Sequence, residues 1–428
     1  MTSETTSGCF VYITLPGEVE PVTAGRYVLG RDRRDVPEGN FVYGRRYMER
    51  PNAVALDPIE LKLAPRTYRT VLLGGLFGAL RDASPDYWGR RIIQRHLLKV
   101  QPGEIDYLLY SPDDRAGALG FGLNQTPPAP KRAFNPTLEL ARLQTIADEL
   151  VAGEQAPAAA NAGAARQVEN LMLIGTSMGG ARPKAVVEDE SGLWIAKFNR
   201  FDDDWNSARV EHAMLVLGRA CGLTAAESRV EVIGGRDVLL LKRFDRERVE
   251  GGYLRARMVS ALTLLRAEDT FQSRDKWSYL LLAEELRRVC SNPQDDAREL
   301  FRRMCFNALI SNIDDHPRNH AIIAKDTAWK LSPAYDLTPA VPISIERRDL
   351  AMACGDAGRL ASADNLLSQS ARFLLGADDA RGIVNEMEAK VRASWYATAH
   401  AAGVSERDCG KIAGAFAYEG FRRAGNTP

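Results

Sequence analysis

From about Cys9 to Gly44 the apolar residues come in short bursts, CFVYITL, GRYVLG and NFVYG, separated by Gly- and Pro-containing turns. Bursts of that length between turn residues predict β-strands, and hence a small β-rich domain over residues 1–125. After a loop around Pro51 to Pro65 the pattern turns helical, with Ser84 placed to cap and Pro85 in the first turn of a helix through Tyr87, Trp88, Ile92 and Ile93. Gln125 to Pro130, QTPPAP, is a stiff, helix-hostile linker and marks a boundary. A helix over Leu138 to Val151 is expected next, then a loop through the alanine-rich GEQAPAAANAGAARQ.

The order of elements after Leu171 is more telling. A small-residue loop, Ser177-Met178-Gly179-Gly180-Ala181-Arg182-Pro183-Lys184, runs into two strands meeting at Glu190-Ser191-Gly192, and Lys197 ends the second. A helix from about Ala208 to Cys221, stopped by Gly222, carries Glu211 in its first turn. SRVEVIGG and RDVLLLKRFDR read as a hairpin through Gly234-Gly235. Leucines spaced three and four apart predict helix from about Met258 to Leu309. Short strands AIIAK and AWKLS and a largely helical tail complete the chain, giving an α+β protein with portions at 135–255 and 256–428 behind the N-terminal domain.

At 428 residues the chain exceeds one ordinary core, and 45% hydrophobic with 26% charged residues are the proportions of a globular protein. A formal net charge of zero supplies no global field toward nucleic acid or an anionic membrane. Six scattered cysteines without a CxxC pair fit reduced thiols. The N-terminus has no basic n-region with a long apolar core, and no apolar run reaches the length of a membrane span. A cytoplasmic location is expected.

The densest chemistry lies in Asn312 to His320, which packs two aspartates, two histidines and two asparagines between apolar flanks, with Asp336 beyond a strand. A glycine loop, a strand lysine, a helix glutamate and an Asp…Asn…Asp set follow the order in which a two-lobed kinase places its parts. Glycine lets backbone N–H groups approach phosphates, a lysine meets their charge, and an amide with a carboxylate suits Mg²⁺. A further carboxylate can accept the proton of the attacking hydroxyl. Two other readings remain open. His316 and His320, four apart, could share a metal in a hydrolase, although Pro317 argues against a regular helix there. The chain could also be a kinase-like scaffold or corepressor without catalysis.

The chain resembles the HipA family of bacterial toxins, the serine/threonine kinases of HipA–HipB-type toxin–antitoxin modules. The resemblance rests on Ser177 to Lys184, on Leu241-Lys242-Arg243-Phe244-Asp245-Arg246, on Asp314-Asp315-His316-Pro317-Arg318-Asn319 and on Leu331-Ser332-Pro333-Ala334-Tyr335-Asp336-Leu337-Thr338-Pro339. It implies a two-lobed protein-kinase-like core with a largely helical C-terminal lobe, using ATP and Mg²⁺. It assigns Asp314 as catalytic base, at the family spacing before Asn319, and Asn319 and Asp336 as metal ligands. Lys197 would contact phosphates, with Glu211 positioning it, and Gly179, Gly180, Ala181, Arg182, Pro183 and Lys184 would form the phosphate-facing loop. Lys242, Arg243 and Phe244 would make the hinge beside the adenine, through backbone more than side-chain groups, with His316 and Tyr335 also near the nucleotide. Ser177 matches the autophosphorylated serine. The implied partners are a small helix-turn-helix antitoxin, operator DNA mainly through that antitoxin, and a protein substrate such as an aminoacyl-tRNA synthetase. Arg182 departs from the family's glutamine.

Overall fold

The computed structural model describes residues 7–97, 102–131, 134–136, 140–145, 182–340 and 344–422. Two compact units emerge: the first comprises Met1–Phe198, Lys242–Val259 and Ile323–Thr327, the second Asn199–Leu241, Ser260–Ile322 and Ala328–Pro428.

In the first unit the N-terminal bursts form β1 (Gly8–Thr14), β2 (Pro21–Arg31) and β3 (Pro37–Tyr43). With β4 (Thr67–Thr70) and β5 (Leu119–Gly122) they make an antiparallel sheet in the order β4-β3-β2-β1-β5. Alternation buries Val11, Ile13, Tyr27, Phe41, Tyr43 and Tyr68 on one face. The helix α1 (Tyr87–Leu97) starts later than Ser84 and Pro85 predict. Asp86 is its cap: Oδ1 accepts the Gly89 N–H at 2.7 Å and its carbonyl accepts the Arg90 N–H at 2.9 Å. Ser84 instead accepts a bond from the Arg90 guanidinium at 3.3 Å. Strands β6 (Lys184–Asp189) and β7 (Gly192–Phe198) pair antiparallel across the predicted turn.

A buried charge cluster holds this unit together. The Asp245 carboxylate accepts Arg243 Nε at 3.0 Å, Arg246 Nη1 at 2.8 Å and the Gly117 N–H at 2.9 Å. The same two guanidiniums bind the carbonyls of Asp114, Arg115 and Gly117 at 2.6–3.0 Å. Burial opposes ionisation of Asp245, yet the Arg243 and Arg246 charges hold its carboxyl well below the usual range.

In the second unit α2 (Ser207–Ala220) is capped by Asn206 Oδ1, which accepts the Arg209 N–H at 3.2 Å. It ends at Gly222, whose φ of +83° is the left-handed exit expected of a glycine. Glu211 is buried and sits one turn inside the helix, beyond the first turn predicted for it. Strands β8 (Ser228–Ile233) and β9 (Arg236–Lys242) form the predicted hairpin. Gly234 and Gly235 take φ of +57° and +79°, as a type I′ turn requires. Met258 to Leu309 is less helical than its leucine spacing predicts. Arg257–Ser260 is extended, Ala261–Leu264 is a single turn, and Arg266 at φ +48° breaks the chain ahead of the 3₁₀ stretch Phe271–Lys276. Regular helix begins at α3 (Tyr279–Val289), capped by Ser278, and α4 (Pro293–Leu309), which opens on proline; α5 (Ala377–Ala401) forms most of the helical tail. Among the described residues no helix is long and apolar enough to cross a membrane.

Asp245→Asn is expected to destabilise the protein by about 3–5 kcal/mol in denaturant unfolding, because two buried guanidiniums lose their counter-charge. A depressed folded pKa gives stability that is present above the unfolded value and lost as pH falls through the folded one. The wild-type contribution should therefore fade below about pH 4.

Candidate functional site

The polar run Asn312 to His320 leaves the C-terminus of α4 as a loop that the helix itself helps to fix. Asn307, the third-last residue of α4, is completely buried. Its Nδ2 donates to Asp315 Oδ2 at 2.8 Å, and its Oδ1 accepts from Asn312 Nδ2 at 3.0 Å. Asp315 Oδ2 also accepts the Tyr279 hydroxyl from α3 and His320 Nε2, the latter at 2.7 Å. With Asp315 accepting, the His320 tautomer that carries its proton on Nε2 is the one that fits. Asp315 is 1% exposed and His320 2%, so this carboxylate is spent inside the fold.

Asp314, one residue earlier, has an exposed side chain. Its pKa is raised, first by the desolvating protein around it, then by the carboxylates of Asp336, Asp315 and Asp269, with His316 pulling the other way. The 3₁₀ turn Pro317–Asn319 follows. There Asn319 Nδ2 faces the Asp314 carbonyl at 3.5 Å, which directs its amide oxygen to other partners. Tyr335 donates its hydroxyl to the Arg318 carbonyl at 2.9 Å, tying the Asp336 segment to this turn. Asp336 is held at φ +59°, a conformation costly for a side-chain-bearing residue, and its carbonyl accepts Asn312 Nδ2 at 3.4 Å. Asp314, His316, Asn319, Tyr335 and Asp336 thus all belong to the second unit, on elements cross-linked by Asn312, Asp315 and Tyr335.

Asn319 and Asp336 offer an amide and a carboxylate, the oxygen donors that a hard cation takes. No group of three or more His, Cys, Asp and Glu side chains able to hold a metal occurs among the described residues, which leaves no all-protein cage. Mg²⁺ needs none: it keeps waters and binds through one or two carboxylates plus substrate phosphates. Asp336 and Asn319 would supply hard oxygens, and the like-charge repulsion that raises Asp314 is a field a cation would relieve. His316 and His320 belong to no group of three or more His, Cys, Asp and Glu able to hold a metal among the described residues; His320 Nε2 meets Asp315 at 2.7 Å and the His316 ring packs edge-on against Trp277 at 6.2 Å.

In the first unit, Lys197 lies on β7, half-buried and directly opposite Lys184. Lys184 corrects the sequence reading. It opens β6, outside any loop, and its ammonium pairs with Asp86 Oδ2 at 2.8 Å, the two side chains 3% and 4% exposed. Pro183 is buried and its carbonyl accepts the Phe198 N–H, while Arg182 is partly exposed. The Arg243 N–H donates to the Leu193 carbonyl at 2.9 Å and its side chain belongs to the Asp245 cluster. Lys242 Nζ lies 5.6 Å from the Trp194 ring centre, and Phe244 is partly exposed. Ser177, Gly179, Gly180 and Ala181 lie outside the described residues.

The sequence reading missed Tyr279, Asn307, Asn312 and Asp86. The available signal was two asparagines, Asn307 and Asn312, within the otherwise apolar NALISNI, where a polar residue needs a buried partner.

Asp315→Asn should cost about 3 kcal/mol in unfolding experiments, since donors that converge on one carboxylate oxygen lose their ionic acceptor. Asp314→Asn should leave stability equal or slightly higher at neutral pH, because a carboxyl whose pKa is raised by folding opposes folding when ionised. Asp269→Asn should lower the Asp314 pKa, read as an upfield-to-downfield ¹³C carboxyl titration whose midpoint moves to more acid pH.

A family model, the HipA-like C-terminal domain, matches residues 176–395. A protein of Sinorhizobium fredii (strain NBRC 101917 / NGR234) described as "Putative kinase Y4mE" is 29% identical over 157 residues, 36% of this chain and 37% of that relative's length. The HipA–HipB–operator DNA complex of the Shewanella oneidensis MR-1 toxin–antitoxin system contains a chain that superposes with a TM-score of 0.66 at 16% identity, covering 95% of this chain and 94% of that one. At that identity the likeness concerns the fold, which is the α+β, kinase-like one. The family model alone spans half of the chain, with every one of Asp314, Asn319 and Asp336 inside it, and the chain belongs to the HipA-like family.

Proposed function

We propose that the protein is an ATP- and Mg²⁺-dependent serine/threonine protein kinase, the toxin of a type II, HipA–HipB-like module. The observation that carries this reading is the division of labour between adjacent aspartates. Asp315 is locked in a buried network, while Asp314 is exposed in the field of Asp336 and Asp269. A base at this position takes the proton from a serine or threonine hydroxyl as the hydroxyl oxygen attacks the γ-phosphorus. The bond from that phosphorus to the β,γ-bridging oxygen breaks, and ADP leaves. Asn319 and Asp336 would hold Mg²⁺, which supplies neutralisation of the phosphate oxygens when bound. Lys197 would set its charge against the phosphates, with Glu211 as its positioning carboxylate, and Lys242 and Phe244 would flank the adenine. Gly179, Gly180, Ala181 and Arg182 would line the phosphates, and Ser177 would be the autophosphorylated serine. Phosphate there adds nearly two negative charges to a loop meant to approach ATP, switching the kinase off.

The partners follow from the family. A small helix-turn-helix antitoxin would neutralise the toxin and carry it to operator DNA, as the Shewanella complex holds HipA, HipB and operator together. The substrate would be a component of translation such as an aminoacyl-tRNA synthetase, in the cytoplasm.

Incubation with γ-labelled ATP and Mg²⁺, followed by intact mass and phosphosite mapping, tests the reaction. Label is expected on Ser177 and on an added substrate. Asp314→Asn should reduce transfer by about 10²–10⁴-fold with the fold retained. Full growth arrest by that variant would sink the mechanism. The acid limb of the rate should move to lower pH in Asp269→Asn, because that carboxylate raises the Asp314 pKa and the base works only when ionised.

A further inference from the structure

Asp86 lies outside the region matched by the family model, in the segment between β4 and β5 of the N-terminal sheet. One of its oxygens caps α1 and the other pairs with Lys184 Nζ at 2.8 Å. The pair is almost completely enclosed. Lys184 and Lys197 are direct cross-strand partners on β6 and β7 and therefore project from the same face of the pair. Directly opposed side chains of this kind have Cβ atoms about 4.5–5.5 Å apart, and like charges so placed repel. Of the two, Lys184 is the buried one and Lys197 is half-buried.

We infer that Asp86 is a positioning residue for nucleotide binding: by neutralising Lys184 it removes a like charge from beside Lys197 and leaves Lys197 as the cation that meets the phosphates. The inference rests on the kinase reading above. It makes the N-terminal segment part of the nucleotide-binding apparatus. The physical need is plain, since a Lys184 ammonium that lacks the Asp86 carboxylate would push Lys197 aside, depress its protonation, or swing out and compete for the same phosphate oxygens. Each of these weakens correct ATP binding without touching the proton-accepting step at Asp314. Buried ion pairs need both members, so removing both is far milder than removing one.

The test is calorimetric binding of MgATP, with steady-state transfer, for wild type, Asp86→Asn, Lys184→Met and the double variant. Asparagine caps helices as well as aspartate does, so Asp86→Asn deletes the charge and keeps the cap. Expected are a loss of ATP affinity of at least about fivefold in Asp86→Asn, carried in KM with kcat little changed, and recovery to within about twofold of wild type in the double variant. Unchanged affinity in folded Asp86→Asn, or a double variant that stays weak, overturns the inference. If Asp86→Asn does not fold, the double variant decides alone: near-wild-type affinity supports charge compensation and weak binding refutes it. Wild-type protein that binds no MgATP removes the kinase reading and the inference with it, whereas wild-type binding with indifferent variants removes the inference only.

Discussion

One carboxylate oxygen, Oδ2 of Asp315, fixes the loop that carries the candidate chemistry. It gathers the Tyr279 hydroxyl, the Asn307 amide and His320 Nε2, from α3, from α4 and from the far end of the loop. Charge-assisted bonds in a water-free interior are strong, and leaving any of these donors unmade would be costly. The loop therefore has one conformation that satisfies them all. In that conformation Asp314 points to solvent, Pro317 begins a tight 3₁₀ turn, and Asn319 comes back to the Asp314 carbonyl. The exposed residue owes its position to the buried one.

The same arrangement recurs in the first unit. Asp245 is enclosed by Arg243, Arg246 and the Gly117 N–H, and Asp86 by Lys184 and the start of α1. In each case a carboxylate accepts at least one backbone N–H and one cationic side chain, which compensates its desolvation from two directions. Asp314 has the reverse surroundings: the protein around it desolvates its carboxyl, its neighbours include other carboxylates, and its pKa is raised. Adjacent aspartates thus differ in what surrounds them, one bonded inside the fold and one exposed.

Much of the local structure was legible in the sequence. The three N-terminal strands, the strand pair around Glu190-Ser191, the Gly234-Gly235 hairpin and the stop of α2 at Gly222 all rest on short-range signals, alternation and positive-φ turns that need no distant partner. Readings failed where a distant group intervened. Ser84 and Pro85 are a sound local helix start, but Asp86 takes the cap, held there also by a lysine 98 positions away. The leucine spacing of Met258 to Leu309 is met by separate short elements, because Arg266 and the Phe271–Lys276 stretch interrupt the helix between buried positions.

The sequence by itself determined the inventory and order of the candidate residues, Lys197, Glu211, Asp314, Asn319 and Asp336, all inside the span that the HipA-like family model matches. Those are covalent facts of the chain, independent of what packs on what. Only the tertiary structure decided which charged groups are spent in support. Lys184 and Arg243 look like ligand contacts in a one-dimensional reading, but in the fold Lys184 pairs with Asp86, 98 positions away, and Arg243 with Asp245, two positions away and buried with it against Gly117. His316 and His320 look like a metal pair in the sequence, but they belong to no metal-holding group among the described residues, His320 bonding Asp315 and His316 packing against Trp277. Spacing along the chain places a side chain near its sequence neighbours. Which counter-charge meets it depends on burial and on the partners that folding brings together, some close in the chain, as Asp245 is to Arg243, and some distant, as Asp86 is to Lys184.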